Sequence, residues 1–220
     1  MRLLFFFICC IQFTQAQDCY KAWLHYEHRV QLSKITKDKF GINVPIDKIQ
    51  IDFLGAPIGI PYQYNNKLYV AAKDTVRIDD NEFYLHKEAY KSLQSMRKAA
   101  EKDSLVLQLL SAYRTEKEQL YFYQRFGAKI AEQAGFSEHQ LYTAIDIAYV
   151  NDHNIKFLWL LKHAFDYGWV PSYYYRVDNT RKKEAWHWRY VGIDAAFKFR
   201  CAWEKEIEQD IARLQKHCKL

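Results

Sequence analysis

The nine residues 184-EAWHWRYVG-192 decide how this chain folds. As an extended strand they place Trp186, Trp188 and Tyr190 on one side, and His187, Arg189 and Val191 on the other. Three aromatics on one side describe a core-facing surface. The histidine and arginine opposite describe a polar one. The polar turn 178-DNTRKK-183 precedes this strand, and 169-WVPSYYYRV-177 precedes the turn, so the two pieces can pair as an antiparallel hairpin. Glu184 lies three residues before His187, and a regular strand would aim the two oppositely. They cooperate only if the chain bends near Glu184.

Working outward, 144-AIDIAY-149 alternates too, with Ala144, Asp146 and Ala148 on one face and Ile145 and Ile147 on the other. The run 105-LVLQLLSAYR-114 contains neither Gly nor Pro and has the length of a buried strand. Helical spacing separates these pieces. Leu85, Ala89, Leu93, Met96 and Ala100 form one helix face. Thr115 and Glu118 make a capping-box pattern ahead of the stripe Leu120, Tyr123, Phe126 and Ile130, with Gly135 suited to the C-terminal cap. A third helix runs from about Ile155 to Tyr167 and stops at Gly168. A last one aligns Phe199, Trp203, Ile207, Ile211, Leu214 and Cys218. Earlier in the chain, residues 19–40 show a rough helical pattern and 55-GAPIGIPYQYNN-66 reads as loop. The runs 67-KLYVAA-72 and 75-TVRI-78 read as a small strand pair. The predicted fold is α+β, a single domain whose small, mostly antiparallel sheet is flanked by helices.

With 220 residues, half of them hydrophobic, the chain can bury one sizeable core. Its start reads as an address. Arg2 precedes the apolar run 3-LLFFFICCIQF-13, and Thr14 and Ala16 sit where a signal peptidase reads small residues. The expectation is a signal peptide over 1–16, an extension over 17–82 packed on the domain, and the main domain with its C-terminal helix over 83–220. Cleavage near Ala16 implies a secreted or periplasmic protein with no stable membrane span. It leaves Cys19, Cys201 and Cys218, enough for one disulfide and one free thiol, with the pairing open. The net charge of +6 is spread along the chain, without the clustered stripe of a nucleic-acid binder, so no nucleic-acid partner is expected.

The chemistry gathers in three segments. In 137-SEHQLYTAID-146, Asp146 is a strand carboxylate flanked by alanines, in a hollow that something beyond the side chains can approach. His139, Asp146 and His187 together supply two imidazoles and a carboxylate, a three-ligand set used by catalytic zinc with a fourth position left for water. Glu184 is then a free carboxylate beside the ion, able to move the proton of a water. In 111-SAYRTEKEQ-119 a strand ends at Arg114 and runs directly into a capped helix, where sites are usually built. Arg114 there can hold a carboxylate bidentately. The other histidines show no comparable context.

In the order SAYR…Q, SEHQ…AID, EAWHWRYVG, these segments resemble the VanY-type D-alanyl-D-alanine carboxypeptidases, a family of zinc peptidases that includes L,D-carboxypeptidases of peptidoglycan. The resemblance runs from about Phe83 to Gly192. It implies one zinc ion held by His139, Asp146 and His187, and Glu184 as catalytic acid/base. It also implies that Arg114, Gln119 and Ser137 hold the substrate's terminal carboxylate and last residue, with Trp186 in the pocket wall. The implied fold is the small α+β domain shared with the hedgehog signalling domain. The sequence departs from the pattern at Leu141 and Tyr142, where the family has Thr-Gly. A tyrosine there either narrows the cleft or repacks a turn. EAWH replaces EPWH without loss of a functional group. The expected function is a monomeric, secreted zinc carboxypeptidase that removes a C-terminal D-alanine from peptidoglycan stem peptides, D,D or L,D. The alternative is a non-catalytic binder of cell-wall peptides on the same fold, which would not require Glu184.

Overall fold

The computed structural model describes residues 26–64, 74–78, 83–178 and 182–218. The order of elements there is α1 (Tyr26–Phe40), β1 (Thr75–Ile78), β2 (Phe83–His86), α2 (Lys87–Lys102), β3 (Leu109–Ser111), α3 (Glu116–Phe126), β4 (Ala144–Ile147), α4 (Ile155–His163), β5 (Trp169–Val170), β6 (His187–Tyr190), α5 (Ile193–Ala202) and α6 (Glu204–His217). Two antiparallel sheets result, β1-β2 and the four-stranded β3-β4-β6-β5, so the α+β expectation holds. No helix among the described residues is long and apolar enough to cross a membrane.

The four-stranded sheet has two unlike faces. Ile145, Ile147, Trp169 and Trp188 point into one hydrophobic core, joined there by Ala89, Leu93, Met96 and Ala100 of α2 and by Phe157, Leu160 and Leu161 of α4. A fully buried side chain of this kind contributes about 1.5–3 kcal/mol through the apolar area it removes from water. The predicted alternation in β4 and β6 is therefore real. Asp146, His187 and Arg189 share the opposite face, because Asp146 stands directly across from His187 in the β4–β6 ladder and Ala144 across from Arg189.

Several elements differ from their sequence reading. Leu85 belongs to β2, and α2 begins only at Lys87, where the His86 ring accepts the Glu88 N–H. The strand Thr75–Ile78 pairs with Phe83–His86, while residues 67–72 lie outside the described residues. The run 105–114 forms ladder bonds only over Leu109–Ser111. Past that point the Arg114 N–H turns to the carbonyl of His139. The capping box of α3 is present, with Thr115 and Glu118 bonded reciprocally, but the helix stops at Gly127 rather than Gly135. Its apolar stripe is also turned out: Leu120, Phe126 and Ile130 are exposed, and Gln119 is the buried residue. The predicted last helix is two, broken at Trp203. Strand β5 pairs with β6 as expected but ends at Val170, and 171–175 is a run of turns.

The extension docks on this body. Leu32, Val44, Ile49 and Ile60 make a second small core, while Ile58 joins the main one. Lys48 bonds Glu206 at 3.1 Å and lies over the Trp203 ring at 4.2 Å, fastening the extension to α6. Cys201 is disulfide-bonded and Cys218 is a free thiol, which matches the expected one bridge and one leftover. Cys19 and the expected signal segment lie outside the described residues.

The cap of α3 gives a simple check. Thr115→Ala removes a side-chain acceptor at the helix N-terminus and should cost about 1 kcal/mol, read as a lower midpoint in urea melts without a change of slope.

Candidate active site

Three loops, helix α3 and strand β4 converge on one cleft of about 170 Å³, lined by Arg114, Gln119, Ser137, His139, Asp146 and Glu184 together with Tyr173 and Trp186. Of the seven residues expected at a site, only His187 does not line it. His187 lies fully buried beneath, with the Tyr173 ring stacked on it at 3.9 Å. A larger cavity of about 710 Å³, beside Phe53 and the first turn of α5, contains none of the seven.

His139, Asp146 and His187 form a group able to hold a metal ion. His187 Nδ1 is 3.2 Å from His139 Nε2 and 3.2 Å from Asp146 Oδ1, and His139 Nε2 is 3.3 Å from the same oxygen. Tetrahedral coordination at zinc–ligand distances of about 2.0–2.1 Å requires ligand–ligand edges of roughly 3.3 Å. The donors fit. The remaining ring nitrogens are also engaged. His139 Nδ1 faces the carbonyl of Ala112 at 2.6 Å, and His187 Nε2 faces the Glu138 carboxylate at 3.0 Å. Those acceptors hold a proton on the far side of each ring, so that the near nitrogen is the one available to a metal once it carries no proton of its own.

Local sequence explains the placement. Ser137 caps the short 3-10 helix Glu138–Leu141 by accepting the His139 N–H, which turns His139 inward below Arg114. The ladder position of Asp146 opposite His187 supplies the second and third donors. At Glu184 the predicted bend is present, since the His187 N–H donates to the Glu184 carbonyl across a tight turn. The turn brings Glu184 to the side of the cleft that a straight strand would deny it.

The charges sort by environment. Burial lowers His139 to about 4, with Arg114 acting in the same direction, so the ring is neutral. Burial would also lower His187, but its hydrogen bonds to Asp146 and Glu138 raise it to about 9. Asp146 lies well below the usual carboxylate range: burial opposes its charge, and the two histidines with Arg114 more than offset this. Glu184 is pushed up to about 7, chiefly by burial, with His187 pulling the other way. A carboxyl poised near neutrality can both accept and return a proton.

The expected substrate residues are less uniform. Arg114 donates from Nη2 to Asp146 Oδ2 at 2.5 Å and from Nε to Ser111 at 3.1 Å. Two of its five N–H donors are thus taken, and among the described residues Nη1 and the second N–H of Nη2 have no hydrogen-bond acceptor. Gln119 donates to the carbonyl of Glu132 at 2.8 Å and leaves its buried side-chain oxygen without a partner among the described residues. Tyr142 is outside the cleft. It adopts a left-handed backbone (φ 59°) and stacks on Tyr113 at 3.7 Å, so it repacks a turn and does not narrow the cleft.

Sequence reasoning missed Glu138 and Tyr173. Glu138 is buried, and its carboxylate accepts from Gly59 N–H at 2.8 Å, Arg189 at 2.7 Å, the Ser172 hydroxyl and His187. Arg189 and these donors hold it ionised although burial opposes its charge. Its position next to His139 was the available signal. The hydroxyl of Tyr173 accepts the Glu138 N–H at 3.0 Å, and the same residue lines the cleft.

Comparison with known proteins identifies the family. The profile of the VanY family, D-alanyl-D-alanine carboxypeptidase, matches residues 82–193. The D-alanyl-D-alanine carboxypeptidase of Enterococcus faecium is 30% identical over 122 residues, 52% of this chain and 40% of that protein. The enzyme of the same name from Enterococcus faecalis is 39% identical over 71 residues, 29% of this chain and 26% of that protein. The chain thus spans less than half the length of these curated relatives. Among solved structures, the LdcB LD-carboxypeptidase superposes with a TM-score of 0.52 at 26% identity, covering 64% of this chain and 80% of that one. With half its length matched by the profile and the three motifs gathered in one cleft, the chain belongs to the VanY family of D-alanyl-D-alanine carboxypeptidases.

Proposed function

We propose that this protein is a zinc carboxypeptidase that removes the C-terminal D-alanine from peptidoglycan stem peptides, outside the cytoplasm after cleavage of its signal near Ala16. The observation that carries the reading is the triangle of donors at 3.2–3.3 Å with a half-buried carboxyl, Glu184, in the same cleft. His139, Asp146 and His187 would hold one ion. When bound, zinc supplies Lewis acidity, which polarises a carbonyl and makes a water acidic enough to attack near neutral pH.

The chain's own groups do the rest. Glu184 takes the proton of the attacking water and returns it to the departing amine. Arg114 keeps Asp146 oriented through Nη2, and its remaining Nη1 donor meets the substrate's terminal carboxylate, which makes the enzyme an exopeptidase. The free oxygen of Gln119 accepts an N–H of the last residue, and Ser137 lines the same end of the cleft. Tetrapeptide (L,D) and pentapeptide (D,D) stems both suit this arrangement. A non-catalytic binder would have no use for a carboxyl raised toward neutrality beside the donors.

Three outcomes test the reading. Purified protein should release D-alanine from a stem peptide, lose that activity with chelator, and recover it with zinc. Glu184→Ala should lower the rate by about 10²–10⁴. Zinc uptake without release from either peptide would refute the enzyme and favour the binder.

The second test concerns the His187 proton, which must leave before the nitrogen can bind a cation. With His187 at about 9, apparent zinc affinity should climb with pH by up to about tenfold per unit from pH 6 to 8.5, in competition with a chromophoric chelator. A flat profile would contradict the ring's assigned state.

Glu184 supplies the third. Its carboxyl is raised in the folded protein, so near pH 4 both folded and unfolded chains hold the proton and nothing is lost. Above that, the unfolded chain ionises first and stability falls until about pH 7. Metal-free Glu184→Gln should therefore be more stable than the parent at pH 8 by roughly 2 kcal/mol and equal to it near pH 4, in denaturant melts.

A further inference from the structure

Residues 26–64 lie outside the segment matched by the family profile, yet one loop of theirs reaches Arg189 and Glu138, which lie behind the donors. Asp52 is 6% exposed and sits at the base of a tight loop, where its Oδ1 accepts the N–H groups of Leu54 at 2.9 Å and Ala56 at 2.8 Å. Its Oδ2 accepts from Nη2 of Arg189, a fully buried guanidinium on the donor face of β6. Arg189 in turn donates from Nη1 to the carbonyl of Pro57 at 2.8 Å and to Glu138 at 2.7 Å. Glu138 holds His187 Nε2 at 3.0 Å. A continuous buried chain therefore runs from Asp52 through Arg189 and Glu138 to His187.

A second contact comes from the same loop. The Gly59 N–H donates to Glu138 Oε1 at 2.8 Å. Gly59 has φ +64°, and a Cβ there would meet the carbonyl oxygen of Ser172 at 2.4 Å. Only glycine lets the extension approach closely enough to complete the Glu138 shell.

We propose that Asp52 is a positioning residue of the metal centre, and that the loop 52–59 is a working part of the site and more than a covering for it. The inference rests on the zinc-centre reading above. Arg189 alone would draw the charge of Glu138 away from His187 and set an uncompensated cation beside the donors. Asp52 occupies the other side of the guanidinium and neutralises it. Glu138 then keeps enough charge to hold the His187 Nε2–H, which fixes the ring with Nδ1 toward the other two donors and strengthens that nitrogen as a ligand. No residue of the loop touches the cleft, so the effect runs entirely through Arg189 and Glu138.

The test uses the full chain and zinc alone as probe. Asp52→Asn retains an oxygen for the Leu54 and Ala56 N–H groups and replaces the oxygen facing Arg189 by an amide NH2 group, which removes both the charge and the acceptor there. Its zinc affinity, measured against a chromophoric chelator, should fall about tenfold or more, the range found when an outer carboxylate partner is lost. Gly59→Ala leaves every charge in place and lifts the loop. It should weaken zinc in the same direction, and it carries the test if Asp52→Asn does not fold. Val44→Ala, in the small core of the extension, should lower the melting temperature while leaving zinc affinity within twofold. A folded Asp52→Asn protein that binds zinc as the parent does overturns this proposal alone. A parent protein that takes up no zinc, or holds it equally well after His187→Ala, overturns the metal centre and this proposal with it.

Discussion

The register of β4 against β6 is the constraint on which the rest depends. Placing Asp146 across from His187 puts a carboxylate and an imidazole side by side on one face, and the same pairing sends Ile145, Ile147 and Trp188 into the core. A slip of one residue would invert both faces, burying the donors among aromatics and exposing the tryptophan. Core packing and site geometry are thus enforced by one set of ladder bonds. The third donor arrives from a different kind of element, a capped 3-10 turn whose carbonyl at His139 also ends the β3 strand by taking the Arg114 N–H.

Buried charge is concentrated behind the donors. Arg189, Glu138 and Asp52 are all nearly sealed from water. A group of this kind adds little net stability over well-packed apolar residues, because desolvation offsets most of the attraction. Loss of one member is a different matter, since it leaves the others unpaired in a medium that cannot solvate them. Such a network makes sense where orientation matters more than stability, and here it ends on the Nε2 nitrogen of His187, one of the three candidate donors.

Much of this was legible in the sequence, and the unread part has physical causes. Period-two alternation exposed the two faces over 144–147 and 187–190, because each strand is buried on one apolar and one polar side; outside the strand it failed, since Trp186 lines the cleft and Val191 joins the core. The helix Lys87–Lys102 and the capping box at Thr115 were readable for similar reasons. The stripe on α3 misled, since Phe126 and Ile130 line the cleft rim and do not pack into the core, and spacing alone does not tell a rim from a core. Beyond its place beside His139, nothing local marks Glu138 as buried, and nothing marks Asp52; their Arg189 partner lies 51 and 137 residues away. Tyr142 is a mixed case. The family's glycine at that position suits a left-handed turn, and the structure shows tyrosine holding that backbone with a stacked neighbour.

The three donors are also far apart along the chain: His187 is 41 residues from Asp146 and 48 from His139. No fragment that stops short of β6 contains the whole set, and the core beneath them is built from side chains that never touch the cleft. A cation taken by the proposed centre would therefore meet all three donors together only in a chain folded as far as β6. A zinc finger, in which metal binding and folding are one event, is the contrasting case. Here Asp146 faces His187 across the β4–β6 ladder, so the backbone pairing and the core beneath it arrange the donor set.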